Sequence, residues 1–531
     1  MAEEEMSTGM MGAESLVRTL VAGGVDTCFA NPGTSEMHFV SALDRVPEMR
    51  CVLCLFEGVA TGAADGYARM TGRPAATLLH LGPGLANGLS NLHNAKRAQS
   101  AVVNVIGDHA TGHRQLDAPL TSDIEGAARP FSDWVRTSPN ADAVATDGAA
   151  AIAAARSLNG RVASLILPAD TAWTPLSPAR SADTRDGVAP VPAITPPAKA
   201  DPDRIAAAVE VLRRDEATVI FLTGEAVRDP LIDVAGRIAA ATGADLMTPT
   251  QCPVISRGAG RPEVTRLPYP IAQAVEALSG YRNVLLLGAK APVSFFAYPG
   301  RPGELVPPGV NVQKICGPED DIADTLTALC NALGANEVEP ARAPLDVPAQ
   351  PSGEITPESL GPAIAAAIPD NAIVIDESLT SGRSFMGPTS TARPHDWVLG
   401  TGGSIGYALP NAIGAAIACP DRKVICLESD GSGMYMPQAL WTMAREKLPI
   451  LIVIFANRKY QILRAEMTNV GAQIGPSAAS LLDIDQPTID WTGLARSLSV
   501  EAEQVTDLDA LNRALAHGVA LDAPYLVEVV L

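Results

Sequence analysis

Short apolar runs rich in Val, Ile and Leu recur along this chain, with helix-length stretches between them. Runs of this kind, without regular polar alternation, read as strands buried on both faces, and strand–helix alternation implies parallel sheets. The runs fall at 75–81, 102–107 and 162–167, then at 217–222, 283–288 and 310–316, then at 372–375, 424–427, 450–456 and 525–530. Two Pro-rich, strand-poor stretches, 181–203 and 336–357, separate these groups and read as extended linkers. A chain of 531 residues is long enough for three domains. The expected architecture is therefore α/β, with three doubly wound parallel-sheet domains at 1–180, 200–335 and 357–531.

A formal charge of −20 argues against nucleic acid or an anionic membrane as partner. No run is long enough to span a bilayer, and the acidic start Met1-Ala-Glu-Glu-Glu lacks the features of a secretion signal, so the expected location is cytoplasmic. The eight cysteines show no framework spacing, which suits a reducing compartment. Cys51 and Cys54 form a Cys-x-x-Cys, but they sit in the apolar run Cys51-Val-Leu-Cys-Leu-Phe56 and read as buried core thiols.

The most specific chemistry lies in the last third. Lys423-Val-Ile-Cys-Leu-Glu-Ser-Asp430-Gly431-Ser432 is followed, 27 residues after Asp430, by Asn457 at the end of another apolar run. Two strands ending in oxygen-bearing side chains, with a helix between them, place those side chains in one crevice. Mg²⁺ takes oxygen ligands in an octahedron, and Asp430, Asn457 and the carbonyl of Lys459 can supply three. Gly431 and Ser432 are expected to open a helix at 436–447, whose N-terminus favours phosphate. Turn and cap chemistry alone also places Asp-Gly and Asn at such positions.

This pair, with Ser429 preceding it, resembles the Gly-Asp-Gly…Asn signature of thiamine diphosphate (ThDP) enzymes, with Ser429 in place of the first Gly. Asn31-Pro-Gly-Thr-Ser-Glu36, the segment Phe56 to Arg69, Leu81-Gly-Pro-Gly-Leu-Ala-Asn87 and Gly402-Gly-Ser-Ile-Gly-Tyr-Ala-Leu-Pro410 are similar, in the same order, to benzoylformate decarboxylase and acetolactate synthase. The resemblance names the three domains pyrimidine-binding, central Rossmann-like and diphosphate-binding. Gly82-x-Gly84-x-x-x-Gly88 nearly meets a dinucleotide fingerprint, but it matches the Gly-Pro-Gly-x-x-Asn element of the ThDP family, where the backbone and Asn87 approach the pyrimidine.

Read from its surroundings, Glu57 is either a helix N-terminal charge or a desolvated acid. The resemblance implies the second, a carboxyl that activates the aminopyrimidine. It further implies that Ile405 props the cofactor, that the Gly403 carbonyl accepts from its amine, and that Glu377, Ser378, Thr380, Ser429, Gly431, Ser432 and Tyr460 surround the diphosphate. Ile405 reads equally as a core residue after a Gly-rich turn, and the hydroxyls of Ser378 and Thr380 as helix caps.

His80 stands where benzoylformate decarboxylase has an active-site His, and Thr34 matches its substrate-contacting Ser. His80 alone is also compatible with a hydrogen-bonded strand-end histidine. His109 and His113 read as loop residues near the mouth. The decarboxylase's second His, in its central domain, has no counterpart between His113 and His395, and the acetolactate synthase Gln falls at Leu120.

The resemblance implies ThDP- and Mg²⁺-dependent decarboxylation of a 2-oxo acid, the enamine being protonated to an aldehyde or ligated to a second carbonyl. A ThDP-fold protein that binds cofactor without turnover, a related carbon–carbon lyase and an acyl transferase are the alternatives. FAD is disfavoured, because Asn283-Val-Leu-Leu-Leu-Gly-Ala-Lys-Ala-Pro-Val293 is closer to the decarboxylase pattern. A homodimer or homotetramer with sites at the subunit interface is implied.

Overall fold

The computed structural model describes residues 9–177 and 186–531. The acidic start, residues 181–185 of the first linker and residues 178–180 at the end of the first expected domain lie outside the described residues. The chain forms two compact units. The first comprises Met1–Pro196, Gly402–Cys419 and Met436–Glu446; the second comprises Pro197–Thr401, Pro420–Tyr435 and Lys447–Leu531.

In the first unit, β1 (Thr27–Ala30), β2 (Arg50–Leu53), β3 (Ala75–Leu79), β4 (Val102–Asp108), β5 (Trp134–Thr137) and β6 (Val162–Pro168) build an all-parallel sheet. Its strand order is β2-β1-β3-β4-β6-β5. The order runs outward in both directions from β1 and β3, so the loops leaving those strands open onto one edge of the sheet. β3, β4 and β6 are buried throughout, as their apolar sequences require. β1, β2 and β5 are only four residues long and are not marked by the longer apolar runs.

Helix Glu57–Thr71 packs on helix Ala408–Ala418 within this unit. Their backbones touch because glycines stand at the crossing. A Cβ on Gly66 would lie 2.2 Å from the Asn411 carbonyl oxygen, and one on Gly414 would lie 2.0 Å from that of Ala63. Asn411 Nδ2 donates to the Gly62 carbonyl at 3.0 Å and ties the pair together.

The second unit holds two sheets. β7 (Thr218–Leu222), β8 (Asp245–Thr248), β10 (Thr265–Arg266), β11 (Asn283–Leu287) and β12 (Asn311–Cys316) form a parallel sheet of order β10-β8-β7-β11-β12. β9 (Val254–Arg257) leaves it and pairs antiparallel with β14 (His395–Leu399). The other sheet, with β13 (Ala372–Glu377), β15 (Val424–Ser429), β16 (Ile450–Ala456), β17 (Glu501–Val505) and β18 (Tyr525–Val530), runs β17-β18-β16-β15-β13-β14-β9. One buried apolar cluster joins residues of both sheets, from Ile205 and Leu222 through Trp397 to Val529.

The helix expected at 436–447 is broken. A single turn, Asp430–Gly433, opens directly after β15, and a separate helix spans Ala439–Arg445. Pro437 between them lacks the N–H that a continuous helix would need. The chain between Val338 and Ser352 contains no helix or strand, as read from its prolines. No described helix is long and apolar enough to cross a membrane.

Candidate active site

β2 delivers the chain to Phe56, whose extended backbone caps helix Glu57–Thr71, so Glu57 stands at the helix's first position. Asn87, on helix Leu81–Ala98, donates from Nδ2 to Glu57 Oε2 at 3.0 Å. A Cβ on Gly84 would lie 2.9 Å from Glu57 Oε1, so glycine there keeps the carboxyl's flank open. Glu57 is 7% exposed and sits among apolar residues of its own helix. The glycine-rich segment thus leaves room beside a buried carboxyl.

His80 directly follows β3 and caps the same helix Leu81–Ala98. The next residue, Leu81, has φ of 50°, a left-handed conformation that a branched side chain adopts only under constraint. The His80 Nδ1 lies 2.8 Å from Glu36 Oε2 and 3.2 Å from Ser35 Oγ. Glu36 is buried and also accepts from the Gly33 amide at 2.7 Å and from Ser35 Oγ. Gly33 and Gly107 make room for this cluster. A Cβ on the first would lie 2.3 Å from the His80 ring, and one on the second 1.6 Å from Glu36 Oε1.

Residue type alone does not single out Ser35 and Glu36, although both lie in the motif Asn31-Pro-Gly-Thr-Ser-Glu36. The available signal was a carboxylate three residues after a Pro-Gly turn, in position to reach back to the turn's amide. Thr34 is exposed, and it is Ser35 beside it that meets the histidine.

Gly402 and Ser404 are latched to helix Leu81–Ala98. The Gly402 carbonyl lies 3.1 Å from His93 Nε2, and the Ser404 carbonyl accepts from Asn94 Nδ2 at 2.9 Å. Ile405 is half-buried between Gly403 and Gly406, whose φ values are 79° and 89°. These left-handed turns explain the glycines and lift Ile405 out of the adjoining helix.

In the second unit, Asp430 is 3% exposed at the start of the one-turn helix after β15. Its Oδ2 accepts from the Arg458 amide at 2.6 Å and its Oδ1 from the Gly431 amide at 2.9 Å. Burial pushes the carboxyl up to about 6, against the pull of those amides. Asn457 directly follows β16, and its Oδ1 accepts from the Lys459 amide at 3.1 Å in a local turn. Between Asp430's two amide contacts and Asn457's turn stands Arg458, with φ of 56°. The Lys459 carbonyl accepts from the Gln461 amide at 2.9 Å. A cavity of about 370 Å³ is lined by Asn457, Lys459, Gln461, Arg464 and their neighbours.

Ser429 Oγ and Ser432 Oγ are 2.6 Å apart, and Ser432 Oγ donates to the fully buried Glu428. Burial and the adjacent Glu377 push the Glu428 carboxyl up. Glu377 and Glu428 are register partners on β13 and β15. Ser378 donates its hydroxyl to Asp376, and Leu379, at φ 48°, turns the loop that leads to the half-buried Thr380. A Cβ on Gly431 would lie 2.6 Å from the Tyr460 ring, so glycine there leaves room for the ring. Left-handed non-glycine residues therefore stand next to His80, Ser378 and Asn457, three of the expected site positions.

The chain that carries these residues is a ThDP enzyme by its family matches. Residues 10–128 match the thiamine pyrophosphate enzyme N-terminal TPP binding domain, and residues 382–529 match the C-terminal TPP binding domain. The chain belongs to this family. It is 49% identical to the Mycobacterium tuberculosis protein named "Putative acetolactate synthase large subunit IlvX", over 98% of this chain and 99% of that one. It is 31% identical to benzoylformate decarboxylase of Pseudomonas aeruginosa, over 95% of this chain and 96% of that one. The solved thiamine diphosphate-dependent 4-hydroxybenzoylformate decarboxylase of Rhodococcus jostii RHA1 superimposes with a TM-score of 0.84 at 25% identity, covering 98% of each chain.

Proposed function

We propose that this ThDP enzyme decarboxylates a 2-oxo acid with Mg²⁺ as metal, and that protonation to an aldehyde is the principal fate of the product. The observation that carries this reading is the Glu36–His80 pair, a histidine oriented by a buried carboxylate. With Nδ1 turned to Glu36, His80 exchanges protons through Nε2. Bound ThDP supplies the carbon nucleophile and the electron sink that decarboxylation requires.

The residues present fit both groups. Glu57, held by Asn87 and flanked by Gly84, offers a carboxyl oxygen to a ring nitrogen. Asp430 is a buried carboxylate that accepts from the Gly431 and Arg458 backbone amides, and a divalent cation would offset the cost of burying its charge. Asn457 and the Lys459 carbonyl add oxygen donors of the kind Mg²⁺ selects. Ser429, Gly431, Ser432, Glu377, Ser378, Thr380 and Tyr460 would surround the diphosphate, and Gly403 and Ile405 would support the rings. Thr34 and Ser35 would face the substrate carboxylate.

The segments 1–180, 200–335 and 357–531 correspond on this reading to pyrimidine-binding, central and diphosphate-binding domains. Glu57 of one copy would act with Asp430 and Asn457 of another in a cytoplasmic homodimer or homotetramer. Incubation with ThDP, Mg²⁺ and a panel of 2-oxo acids, with CO₂, aldehyde and hydroxyketone measured together, tests the proposal. Aldehyde equal to CO₂ supports it; hydroxyketone as the main product would move the assignment to carboligation, and no CO₂ from any acid would remove decarboxylation.

A further inference from the structure

Apart from the candidate site, three of the eight cysteines gather near the edge of the first sheet. Cys28 in β1 and Cys51 in β2 are register partners in a parallel pair, so their side chains leave the same face side by side. Neighbouring strands lie about 4.8 Å apart. That is inside the Cα separation of about 4.4–6.8 Å that a disulfide spans. The two thiols are close enough to influence one another's ionisation. Cys28 is fully buried, Cys51 is only partly buried, and β2 is the outer strand of its sheet. Cys51 is therefore the member a small reagent reaches.

The two thiols are also unequal. The neighbouring Cys28 thiol holds the Cys51 thiol below the usual range, with help from the Arg445 guanidinium, against burial and Glu446. The Cys51 thiol and burial push Cys28 up. Attack by the more acidic, more accessible thiol followed by resolution by its neighbour is the usual order for such pairs.

We propose that Cys28 and Cys51 form a dithiol that hydroperoxides oxidise to an intrachain disulfide. The Cys51 thiolate attacks the terminal peroxide oxygen, the O–O bond breaks, and Cys51 becomes a sulfenic acid as hydroxide or alkoxide leaves. The Cys28 sulfur then attacks the Cys51 sulfur, the S–O bond breaks, the Cys28 proton leaves with the hydroxyl as water, and the S–S bond forms. Two thiols are oxidised and one hydroperoxide is reduced. β1 runs directly into the loop that carries Glu36, and β2 into Glu57, so the bond links the two strands from which those carboxylates depart. Cys54 is the competitor for Cys51 through the Cys-x-x-Cys spacing, but it is fully buried and burial pushes its thiol far up.

The test is titration of the full-length protein with hydrogen peroxide, followed by thiol counting and tryptic mapping. Two of the eight thiols should disappear and return with dithiothreitol. Residues 19–45, which hold Cys28, should appear joined to residues 51–69, which hold Cys51 and Cys54, because trypsin cuts after Arg18, Arg45, Arg50 and Arg69. Cys54→Ser should retain the joined peptide, and Cys28→Ser and Cys51→Ser should abolish it. A bond internal to residues 51–69, a joined peptide lost in Cys54→Ser, or no thiol loss before unfolding would overturn the proposal. The wild-type map alone decides between the first outcome and the proposed bond if a serine variant fails to fold.

Discussion

The Nδ1 of His80 stands 2.8 Å from Oε2 of Glu36, and the carboxylate that holds it is 1% exposed. A buried acceptor fixes the imidazole's tautomer and orientation, so under the proposed function His80 would depend on a residue that need not touch substrate. Glu36→Gln should lower kcat roughly 10–100-fold, in line with the cost of removing a supporting partner. His80→Ala should lower it roughly 10²–10⁴-fold, the usual range for losing an acid–base group. If the two act as a unit, the double variant should be little worse than His80→Ala. Full multiplication of the two effects would show that they act separately.

Glu57→Gln keeps the shape of the side chain and removes its acid. We expect turnover to fall by about 10²–10⁴-fold with ThDP affinity largely retained. Isothermal titration with ThDP, alongside steady-state assays, separates the two quantities.

Asp430→Asn should weaken Mg²⁺-dependent ThDP binding by at least about 10-fold, since a charged ligand is replaced by a neutral one. Titrating chelator-treated protein with Mg²⁺ at fixed ThDP, followed by cofactor-induced quenching of tryptophan fluorescence, gives the affinity directly. Unchanged affinity would remove Asp430 from the metal set.

Gly66→Ala places a methyl where the Asn411 carbonyl lies 2.2 Å away. Overpacking of this kind costs about 1–3 kcal/mol. The variant should unfold at lower denaturant concentration with an unchanged slope, and Gly72→Ala, where a Cβ would meet nothing within 4 Å, offers a control for backbone strain at φ 65° without a clash.

His395 is fully enclosed between β9 and β13, and its pKa is pushed down to about 3 by burial and then by Arg257, with Arg261 in the same sense and Asp396 opposing. The unfolded chain therefore binds more protons than the folded one between about pH 3 and 6.5, and stability falls as the pH drops through that window. His395→Gln should shift the acid-unfolding midpoint to lower pH, read by circular dichroism. A midpoint that does not move would show that other groups govern acid unfolding.

The apolar runs disclosed the long central strands well. The runs at 450–456 and 525–530 coincide with β16 and β18, because strands buried on both faces carry an unbroken hydrophobic signal. Short strands such as β1 and β5 left no such mark, and β9 could not be placed at all, since its partner lies more than a hundred residues away. Local sequence does not encode long-range pairing. Within the site, residues that belong to recurring motifs were legible, but Glu36 and Glu428 were not. Their importance comes from burial beside His80 and beside Glu377, which only the packed sheets create.

β9 also bears on how the chain can be divided. The strand Val254–Arg257 belongs by sequence to the middle third, yet it covers the outer edge of β14. Cutting at the proline-rich stretch before residue 357 would strip that cover and leave β14 with a bare row of amides and carbonyls, a template for association with other chains. The last third is therefore a poor candidate for expression as an isolated fragment, and limited proteolysis at that stretch should yield pieces that stay together until denatured.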